Sequence, residues 1–472
     1  MNDNLIAKFT DIVGAKYTLH TPENLAPYEK DWRGRYFTKA ALALRPASVE
    51  EVSQILKLAT ETKTPIIPQA GNTGLVGAGI PLEGGNGNEV IVSLGRMNKI
   101  LDVDAHSNTM TIEAGAILDT VQNAADEAGL LFPLSLGSQG TCQIGGNIGS
   151  NAGGTGVLAY GNTRELVMGL EAVLPTGEIW NGLSRLRKDN TGYDLKNLFI
   201  GAEGTLGVIT KAVVKLFPKP KGREMAFVGL KSPQAALELL NLAKANVGAG
   251  LTAFEFMAEI CMQFTLRHSQ NGTRAPVEGN HPWYILMEIS SGRSPEDARS
   301  SLESILQTAF ETDIVQNATI AENLGQQNAF WQLREDMSDS QKPEGASIKH
   351  DIAVPVGSLP DFIAKADAEV LKIVPDARIV NFGHMGDGNL HYNISQPVGW
   401  ERDHFFAFEP AINDAVYGLI TKYHGSISAE HGIGQMKRDK LAKIKDPTAL
   451  FLMRKIKAAL DPEGIMNPGK VI

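Results

Sequence analysis

Cysteine, basic tracts and targeting segments are what this sequence has least of. The two cysteines, Cys142 and Cys261, are too few for a disulfide framework and fit a reducing compartment. Lys and Arg number 44 against 53 Asp and Glu, a net charge of −9 with no basic tract. This acidic balance argues against nucleic acid and anionic membrane surfaces as partners. The first residues show neither a basic segment followed by an apolar one nor the arginines of a transit peptide, so we expect a cytoplasmic protein.

Charge is also absent from residues 128–163, but this stretch is a poor candidate for a membrane span. Ten of its 36 residues are glycine, and Asn, Gln, Ser and Thr fill much of the remainder. A lipid-exposed helix of this composition would break, because its polar and glycine-rich backbone could not be satisfied in hydrocarbon. The sequence therefore predicts no membrane span.

The chain is long and apolar enough to form more than one packed domain. Its 472 residues are 43% apolar, which excludes a disordered or fibrous chain, and about 150 residues per domain suggests two or three domains. Ser48 and Glu51 form a capping box ahead of an apolar helical pattern, whereas Pro218 and Pro220 end a strand-like run. Helical and strand patterns alternate after that point, so the sequence predicts an α+β fold with a domain boundary near residue 218.

Glycine is concentrated in two clusters of the first half. They are Gly71-Asn72-Thr73-Gly74 and the run SLGSQGTCQIGGNIGSNAGG at residues 135–154. Glycine lets backbone N–H groups approach an anion closely, and successive N–H groups form a concave anion site. Neither cluster is a GxGxxG or Walker motif in its usual context. From composition alone, ordinary tight loops remain the alternative to a cofactor cradle.

Two compact motifs concentrate the metal-binding residue types. They are GHMGDGNLHYN at residues 383–393 and SAEHGIG at residues 428–434. His384 and His391 would point to opposite faces of one straight strand, so we predict a strand, a tight turn at Met385–Gly388 and a second strand. Two imidazoles and a carboxylate such as Glu430 form a common catalytic Zn²⁺ site. Satisfied core or loop histidines remain the alternative on these residues alone.

Acid–base chemistry and substrate binding have candidates of their own. His431 is a candidate general base, since an unperturbed histidine pKa near 6.5 suits proton removal at neutral pH; a role in orienting a ligand is the alternative. Arg334 and Ser338 share a face if residues 328–340 are helical, and Lys349 lies on the strand that follows. These cations could hold a substrate carboxylate, or they could be solvated surface charges.

Four motifs in order give the sequence a resemblance to known flavoproteins. PQAGNTGLVGAG, SLGSQGTCQIGGNIGSNAGG, RKDNTGYDLKNLFIGAEGTLGVIT and DPEGIMNP resemble the FAD domain of the p-cresol methylhydroxylase type. From about residue 40 onward the chain resembles the D-2-hydroxyglutarate dehydrogenase family. The resemblance implies an FAD-binding domain over residues 1–218, a substrate or cap domain with an antiparallel sheet over 219–425, and a C-terminal helical segment over 426–472 that returns to the flavin.

The resemblance also implies where FAD is bound. Its pyrophosphate would lie on the backbone of Gly71–Gly74 and Gly145–Gly153, and the lack of histidine between His20 and His106 favours a non-covalent flavin. The cofactor-binding residues that it implies are Gln69, Ala70, Gly71, Asn72, Thr73, Gly74, Gly137, Ser138, Thr141, Gly145, Gly146, Asn147, Asn151, Ala152, Gly153, Gly204, Ile209 and Asn467.

The reaction implied by the resemblance is oxidation of a D-2-hydroxy dicarboxylic acid, D-2-hydroxyglutarate or D-malate, to the 2-oxo acid by hydride transfer to FAD. A divalent metal, Zn²⁺ with Mn²⁺ or Co²⁺ as alternatives, would be held by His384, His391 and Glu430, with His431 as the base. The substrate contacts would be Arg334, Ser338, Lys349, Asn393 and His431. The family often has Thr where this chain has Ser338. An electron-transferring flavoprotein or a quinone-linked chain would be the acceptor, and a homodimer is compatible with the resemblance.

Three other functions remain open at the level of sequence. A D-lactate dehydrogenase or glycolate-oxidising relative would share the architecture, although a short substrate would not need two distal cations. A metallohydrolase would use the His/His/Glu set but leave the flavin cradle unexplained. An electron-transfer or structural subunit would need no intact metal set beside His431.

Overall fold

The computed structural model describes residues 1–269 and 272–472 and divides the chain into two compact units. The first unit comprises Met1–Gly153, Gly161–Lys219 and Glu430–Ile472, and the second comprises Gly154–Tyr160 and Pro220–Ala429. The predicted boundaries after residues 218 and 425 therefore differ by one and four residues from these divisions. Residues 154–160, which we assigned to the first domain, belong to the second unit.

The strands define the sheets of both units. Their bounds are β1 Thr18–Leu19, β2 Leu42–Leu44, β3 Ile66–Gln69, β4 Val90–Ser93, β5 Ile100–Asp104, β6 Thr109–Glu113, β7 Leu130–Leu131, β8 Val167–Val173, β9 Ile179–Gly182, β10 Val208–Lys215, β11 Phe217–Pro218, β12 Gly222–Leu230, β13 Leu251–Ala258, β14 Trp283–Ser291, β15 Val315–Ile320, β16 Ser347–Ala353, β17 Arg378–His384 and β18 Asn389–Ser395.

The α-helices lie between these strands. Their bounds are α1 Asp3–Val13, α2 Pro22–Glu29, α3 Val49–Thr62, α4 Leu118–Glu127, α5 Ile144–Ser150, α6 Val157–Tyr160, α7 Thr163–Leu166, α8 Lys196–Phe199, α9 Pro233–Val247, α10 Glu259–His268, α11 Pro295–Glu311, α12 Leu324–Asp336, α13 Leu359–Ile373, α14 Arg402–Phe406, α15 Glu409–Lys422, α16 Arg438–Ile444 and α17 Pro447–Leu460. Single 3₁₀ turns cover Ala15–Tyr17, Gly248–Gly250, Lys342–Glu344 and Val356–Ser358. None of the helices in the described ranges is long and apolar enough to cross a membrane.

The first unit contains a four-stranded sheet in the order β1-β2-β4-β3 and a five-stranded sheet in the order β5-β6-β10-β8-β9. Helix α3 begins as predicted, because the Ser48 side chain accepts a hydrogen bond from the Glu51 amide at 3.2 Å. The predicted box is only half formed, since the Glu51 carboxylate accepts from the amide of Ala47 instead. Apolar residues of this helix are buried, so packing stabilises the helix together with its cap.

The second unit is built on a seven-stranded sheet, within the described residues, in the order β15-β12-β14-β13-β17-β18-β16. Every neighbouring pair in it is antiparallel, which confirms the predicted antiparallel cap. One face carries a buried cluster that includes Phe227, Met257 and Phe382 from the sheet, and α10 and α12 supply further members, Cys261 and Leu333 among them. Helix α12 is therefore held against this face by apolar burial.

The helix that carries Arg334 has bounds other than those considered from the sequence. A shared face of Arg334 and Ser338 requires a helix over residues 328–340, and the helix covers Leu324–Asp336. It starts earlier because the Asn323 side chain caps it by accepting from the amide of Gln326. It ends before Ser338, which lies in the following turn with an exposed side chain. The proposed shared helix face of Arg334 and Ser338 is therefore wrong.

Candidate active site

The register of β13, β17 and β18 gathers polar residues on one face of the large sheet. Glu255 lies opposite His384, and Phe382 lies opposite His391. Directly opposed residues of antiparallel strands project to the same side, and Phe382 and His384 are two apart on one strand. The two imidazole rings lie with their centroids 5.7 Å apart. The predicted strand, turn and strand are confirmed, because residues 385–388 connect β17 to β18.

The tight turn depends on glycine. Gly388 has φ +88°, and a Cβ there would lie 2.2 Å from the carbonyl oxygen of Val354. The Gly388 amide donates to the carbonyl of Met385 at 3.3 Å. A larger residue at position 388 would therefore clash with the backbone of Val354 and strain the turn that joins β17 to β18.

Edge strand β16 extends the same polar face. Asp351 lies opposite His391, and Lys349 lies opposite Asn393. Asp351 is buried and accepts a hydrogen bond from the side chain of Asn389 at 3.0 Å. The Asn393 amide donates to the side-chain oxygen of Gln341, also at 3.0 Å. Lys349 is exposed.

The chain brings Glu430 to this face through a short piece of antiparallel pairing. Ser426 and Ala353 exchange backbone hydrogen bonds, and the Ala429 amide donates to the carbonyl of Asp351 at 3.3 Å. Glu430 is the next residue. Among the described residues, two groups offer ligand atoms that all lie within 4.8 Å of one another. They are His384 with His391 and Glu430, and Asp351 with Glu430 and His431.

The first group fits a divalent metal by its donor chemistry. Zn²⁺ takes imidazole nitrogen and carboxylate oxygen at about 2.0–2.2 Å, which places tetrahedral ligands roughly 3.4 Å apart. Ligand atoms already within 4.8 Å of one another reach that spacing with small side-chain rotations. A catalytic site of this type keeps a fourth position for water or substrate.

Arg334 is placed beside this group rather than on the solvent-facing surface. Its guanidinium lies 2.8 Å from a carboxylate oxygen of Glu255 and 4.9 Å from the ring centroid of Phe382. Arg334 is only 8% exposed, and its Nε is buried without a hydrogen-bond partner. The alternative that Arg334 is a solvated surface charge is therefore wrong. A buried donor without a partner is costly, and a substrate carboxylate would satisfy it.

The two glycine clusters pack against each other in the first unit. A Cβ at Gly71 would lie 2.4 Å from the carbonyl oxygen of Thr141, and a Cβ at Gly146 would lie 3.1 Å from the side chain of Ala70. A Cβ at Gly74 would meet nothing within 4 Å. The clusters are thus joined by close backbone contact, while Gly74 borders open space.

Unpartnered polar atoms line the same region. The side-chain oxygens of Gln143, Asn147 and Asn467 are buried without a hydrogen-bond partner. Gly137 and Gly140, like Gly74, have open space where a Cβ would stand. Glycine N–H groups beside open space fit the phosphates of a cofactor, whereas the unpartnered acceptor oxygens fit N–H or O–H donors elsewhere on it.

Other predicted cofactor residues have structural contacts in this region. The Gln69 side chain donates to the carbonyls of Tyr28 and Gly79, so it braces the loop that follows β3. A Cβ at Gly204 would lie 2.9 Å from the ring of Pro68. Among the remaining positions, Asn72 and Asn151 both have φ +52°, and they are followed in the chain by Thr73 and by Ala152 and Gly153. Ser138 and Thr141 form a tight turn. Gly145 packs on Ala114, and Ile209 lies on β10.

The half-buried Glu203 holds the segment that follows His431. Glu203 accepts hydrogen bonds from the amides of Ile433 and Gly434, each at 2.7 Å. A Cβ at Gly432 would lie 2.7 Å from the same carboxylate. Burial raises the pKa of Glu203 to about 7, although these amide hydrogen bonds oppose the shift. Glu203 therefore fixes the backbone immediately after the candidate base.

Three functional candidates in the structure, Glu203, Glu255 and Asp351, were not predicted from the sequence. Glu255 had a visible signal, since it is the lone charge in the apolar strand LTAFEFMA, and buried charges are rare unless paired. Glu203 lies inside the motif GAEGTLG that supported the resemblance. Asp351 directly follows His350, and nothing in its spacing points to Glu430.

Comparisons with known proteins agree with these features. The family model described as FAD binding domain matches residues 40–182, and the model described as FAD linked oxidases, C-terminal domain, matches residues 219–471. A mitochondrial D-2-hydroxyglutarate dehydrogenase of Arabidopsis thaliana is 39% identical over 99% of this chain and 81% of its own length. A putative mitochondrial D-lactate dehydrogenase of Schizosaccharomyces pombe is 36% identical over 96% of this chain and 85% of its own.

Similarity in structure extends over nearly the whole chain. A crystal structure of p-cresol methylhydroxylase with substrate bound aligns with a TM-score of 0.78 over 99% of this chain and 96% of that one, at 18% identity. This likeness confirms the predicted fold class. The chain belongs to the FAD-linked oxidases, as a D-2-hydroxyacid dehydrogenase of the D-2-hydroxyglutarate dehydrogenase type.

Proposed function

We propose that this flavoprotein oxidises a D-2-hydroxy dicarboxylic acid, D-2-hydroxyglutarate or D-malate, to the 2-oxo acid in a reaction that requires a divalent metal. The observation that carries the proposal is the convergence of the ligand atoms of His384, His391 and Glu430 within 4.8 Å. The adjacent residue, His431, is a base of suitable chemistry. The 39% identity to a D-2-hydroxyglutarate dehydrogenase supports the choice of substrate.

The chain holds its two cofactors with different kinds of group. The backbone of Gly71–Gly74 and Gly145–Gly153 would hold non-covalent FAD, which supplies the acceptor for the hydride that leaves C2. His384, His391 and Glu430 would hold Zn²⁺, or Mn²⁺ or Co²⁺ in its place, and such an ion lowers the pKa of a hydroxyl bound to it. Redox chemistry of this kind belongs to the cofactor, while the protein supplies position and charge.

His431 takes the proton of the C2 hydroxyl in this proposal. Loss of that proton and of the C2 hydride converts the alcohol to a ketone and balances the two-electron oxidation. The neighbouring Asp351, whose carboxylate lies in one group with His431, can orient the imidazole and stabilise it when it is charged. The amide contacts of Glu203 hold the backbone of the next residues in place.

Arg334 and Lys349 would bind the carboxylate at the far end of the substrate. Arg334 offers its buried, unpartnered Nε, and Lys349 projects from the same sheet face opposite Asn393. Asn393 and the exposed Ser338 would add neutral hydrogen bonds. A fork-shaped guanidinium and a mobile ammonium suit a carboxylate better than either suits an uncharged substrate end.

The reduced flavin needs an acceptor. We propose an electron-transferring flavoprotein or a quinone-linked chain in this role, a cytoplasmic location, and a homodimer as an assembly compatible with the family resemblance. Two of the similar proteins are described as mitochondrial, so fractionation of the source cells tests the location directly.

Anaerobic flavin reduction tests the proposed reaction. The purified holoenzyme is mixed without oxygen or acceptor with D- and L-2-hydroxyglutarate, D-malate, D-lactate and glycolate, and the visible flavin absorbance is followed. We expect fast bleaching with the D-dicarboxylates and little with the L-isomer. Bleaching by none of these acids would contradict the proposed oxidation of a 2-hydroxy acid.

A D-lactate dehydrogenase is the second candidate function. The Schizosaccharomyces pombe relative, 36% identical, is described as a putative enzyme of that activity. In the same anaerobic experiment, faster bleaching by D-lactate than by D-2-hydroxyglutarate would select this alternative.

A further inference from the structure

Glu255 connects two residues of the proposed site. Its Oε1 accepts a hydrogen bond from His384 Nδ1 at 2.7 Å, and its Oε2 lies 2.8 Å from an Arg334 guanidinium nitrogen. Glu255 is 1% exposed and lies on β13, which pairs with β17, the strand that carries His384.

We propose that Glu255 is a positioning residue of the metal centre, which fixes the His384 imidazole for metal binding through Nε2 and holds the Arg334 guanidinium beside it. The proposal rests on the metal site of the proposed function. In this proposal the Glu255 carboxylate supports both the metal ligand His384 and the substrate-binding cation Arg334.

The tautomer of His384 follows from the acceptor that faces it. An ionised carboxylate only accepts hydrogen bonds, whereas a neutral imidazole has one N–H and one lone pair. The proton must therefore lie on Nδ1, and Nε2 keeps the lone pair that a metal needs. Carboxylates behind metal-binding histidines orient the ring and raise its basicity in this way.

Arg334 keeps the carboxylate charged in a buried position. The guanidinium lies 2.8 Å from Oε2 of Glu255, and a cation at this distance favours the ionised form of a buried carboxylate. The guanidinium is in turn confined by its contact with the ring of Phe382 at 4.9 Å, and Phe382 also packs on His391 at 4.9 Å between ring centroids. The two histidines are thus braced by one polar and one aromatic contact.

A second buried carboxylate on the same sheet provides a matched control. Glu288 lies on β14, the other neighbour of β13, and is 7% exposed. It accepts hydrogen bonds from Thr252 Oγ1 and Trp331 Nε1, and Arg223 lies 3.5 Å away. These three partners include neither His384 nor His391, so Glu288 shares the burial of Glu255 but not the proposed role.

Metal affinity distinguishes a positioning role from a merely structural one. Glu255→Gln and Glu288→Gln are prepared with FAD bound, stripped of metal, and titrated with Zn²⁺ against a chromophoric chelator. We expect a Kd about 10- to 100-fold weaker for Glu255→Gln and an unchanged Kd for Glu288→Gln. FAD content and melting temperature of the metal-free proteins report on folding. Equal Kd values for wild type and Glu255→Gln would overturn the proposal.

The tautomer can be read in the wild-type protein if Glu255→Gln fails to fold. Selective ¹⁵N labelling of histidine in the metal-free holoenzyme shows which ring nitrogen carries the proton. The signals of His384 are assigned as those missing from the spectrum of His384→Gln. We expect His384 to be protonated at Nδ1, and protonation at Nε2 alone would overturn the proposal. A wild type that binds no Zn²⁺ would instead refute the metal site itself, and this inference with it.

Discussion

At the residue scale, His431 is the base that we propose for the proton transfer. Replacing it by Asn removes the base and keeps the backbone, so we expect kcat to fall by about 10²–10⁴-fold while the metal content measured by elemental analysis stays at the wild-type level. A loss below about tenfold would reduce His431 to a residue that orients a ligand.

Lys349 gives the cleaner test of the distal carboxylate. Arg334 is paired with the buried Glu255, so removing it would leave a buried charge unpaired and disturb more than substrate binding. Lys349 is exposed. A charge-assisted hydrogen bond contributes roughly 1.5–3 kcal/mol, which corresponds to about 10- to 150-fold.

We therefore expect Lys349→Ala to lower kcat/KM for D-2-hydroxyglutarate by about 10- to 150-fold and to leave slow oxidation of D-lactate nearly unchanged. Steady-state kinetics with both substrates measures this. An equal loss with both would assign Lys349 to the C1 carboxylate, which every 2-hydroxy acid carries.

At the scale of elements, glycine and capping residues were the most informative sequence signals. The turn at residues 385–388 was predictable because glycine excludes a helix there and forces the chain back. Helix α12 was displaced from its predicted bounds because the capping residue Asn323 was overlooked. Ser338 consequently lies outside the helix, and its proposed alignment with Arg334 rested on helix bounds that were wrong.

The segment after His431 gives a prediction at this scale. Burial raises the pKa of Glu203 to about 7 in the folded protein, whereas its ordinary value in the unfolded chain is 4.5. Between these two pH values Glu203 keeps its proton in the folded state and loses it in the unfolded state. The wild type therefore loses stability relative to Glu203→Gln as pH rises from about 4.5 to 7. Lys437 and Lys470 oppose the shift but do not cancel it.

Glutamine keeps one acceptor oxygen for these amides but presents an NH₂ group to the other amide, a cost of about 1–3 kcal/mol. We expect the wild type to melt above Glu203→Gln at pH 5 and to lose much or all of that advantage at pH 8. An advantage that is equal or larger at pH 8 would show that Glu203 is ionised throughout the range.

At the scale of the whole molecule, the sequence predicted an antiparallel sheet but not its strand order. The order β15-β12-β14-β13-β17-β18-β16 depends on contacts between distant parts of the chain. Glu255 and His384 are 129 residues apart, and no local pattern records that they are opposite each other. The proposed ligand set could be predicted because short motifs contain it, whereas the carboxylate next to His384 could not.

The metal is the part of the proposed function on which the whole site depends. Removal of one of three protein ligands leaves an incomplete site, so we expect His391→Ala to lose metal and activity together and to keep FAD. Elemental analysis and the flavin spectrum of the same sample measure both. Full activity in a metal-free His391→Ala protein would contradict the ligand set.

The most direct test is the rate at which D-2-hydroxyglutarate bleaches the flavin, without oxygen, in metal-depleted holoenzyme and in the same sample after Zn²⁺, Mn²⁺ or Co²⁺ is restored. The FAD content is checked before and after depletion. We predict that depletion abolishes bleaching with FAD still bound and that at least one of these ions restores it. Undiminished bleaching in enzyme shown to be free of metal would contradict the proposal that His384, His391 and Glu430 hold a catalytic ion.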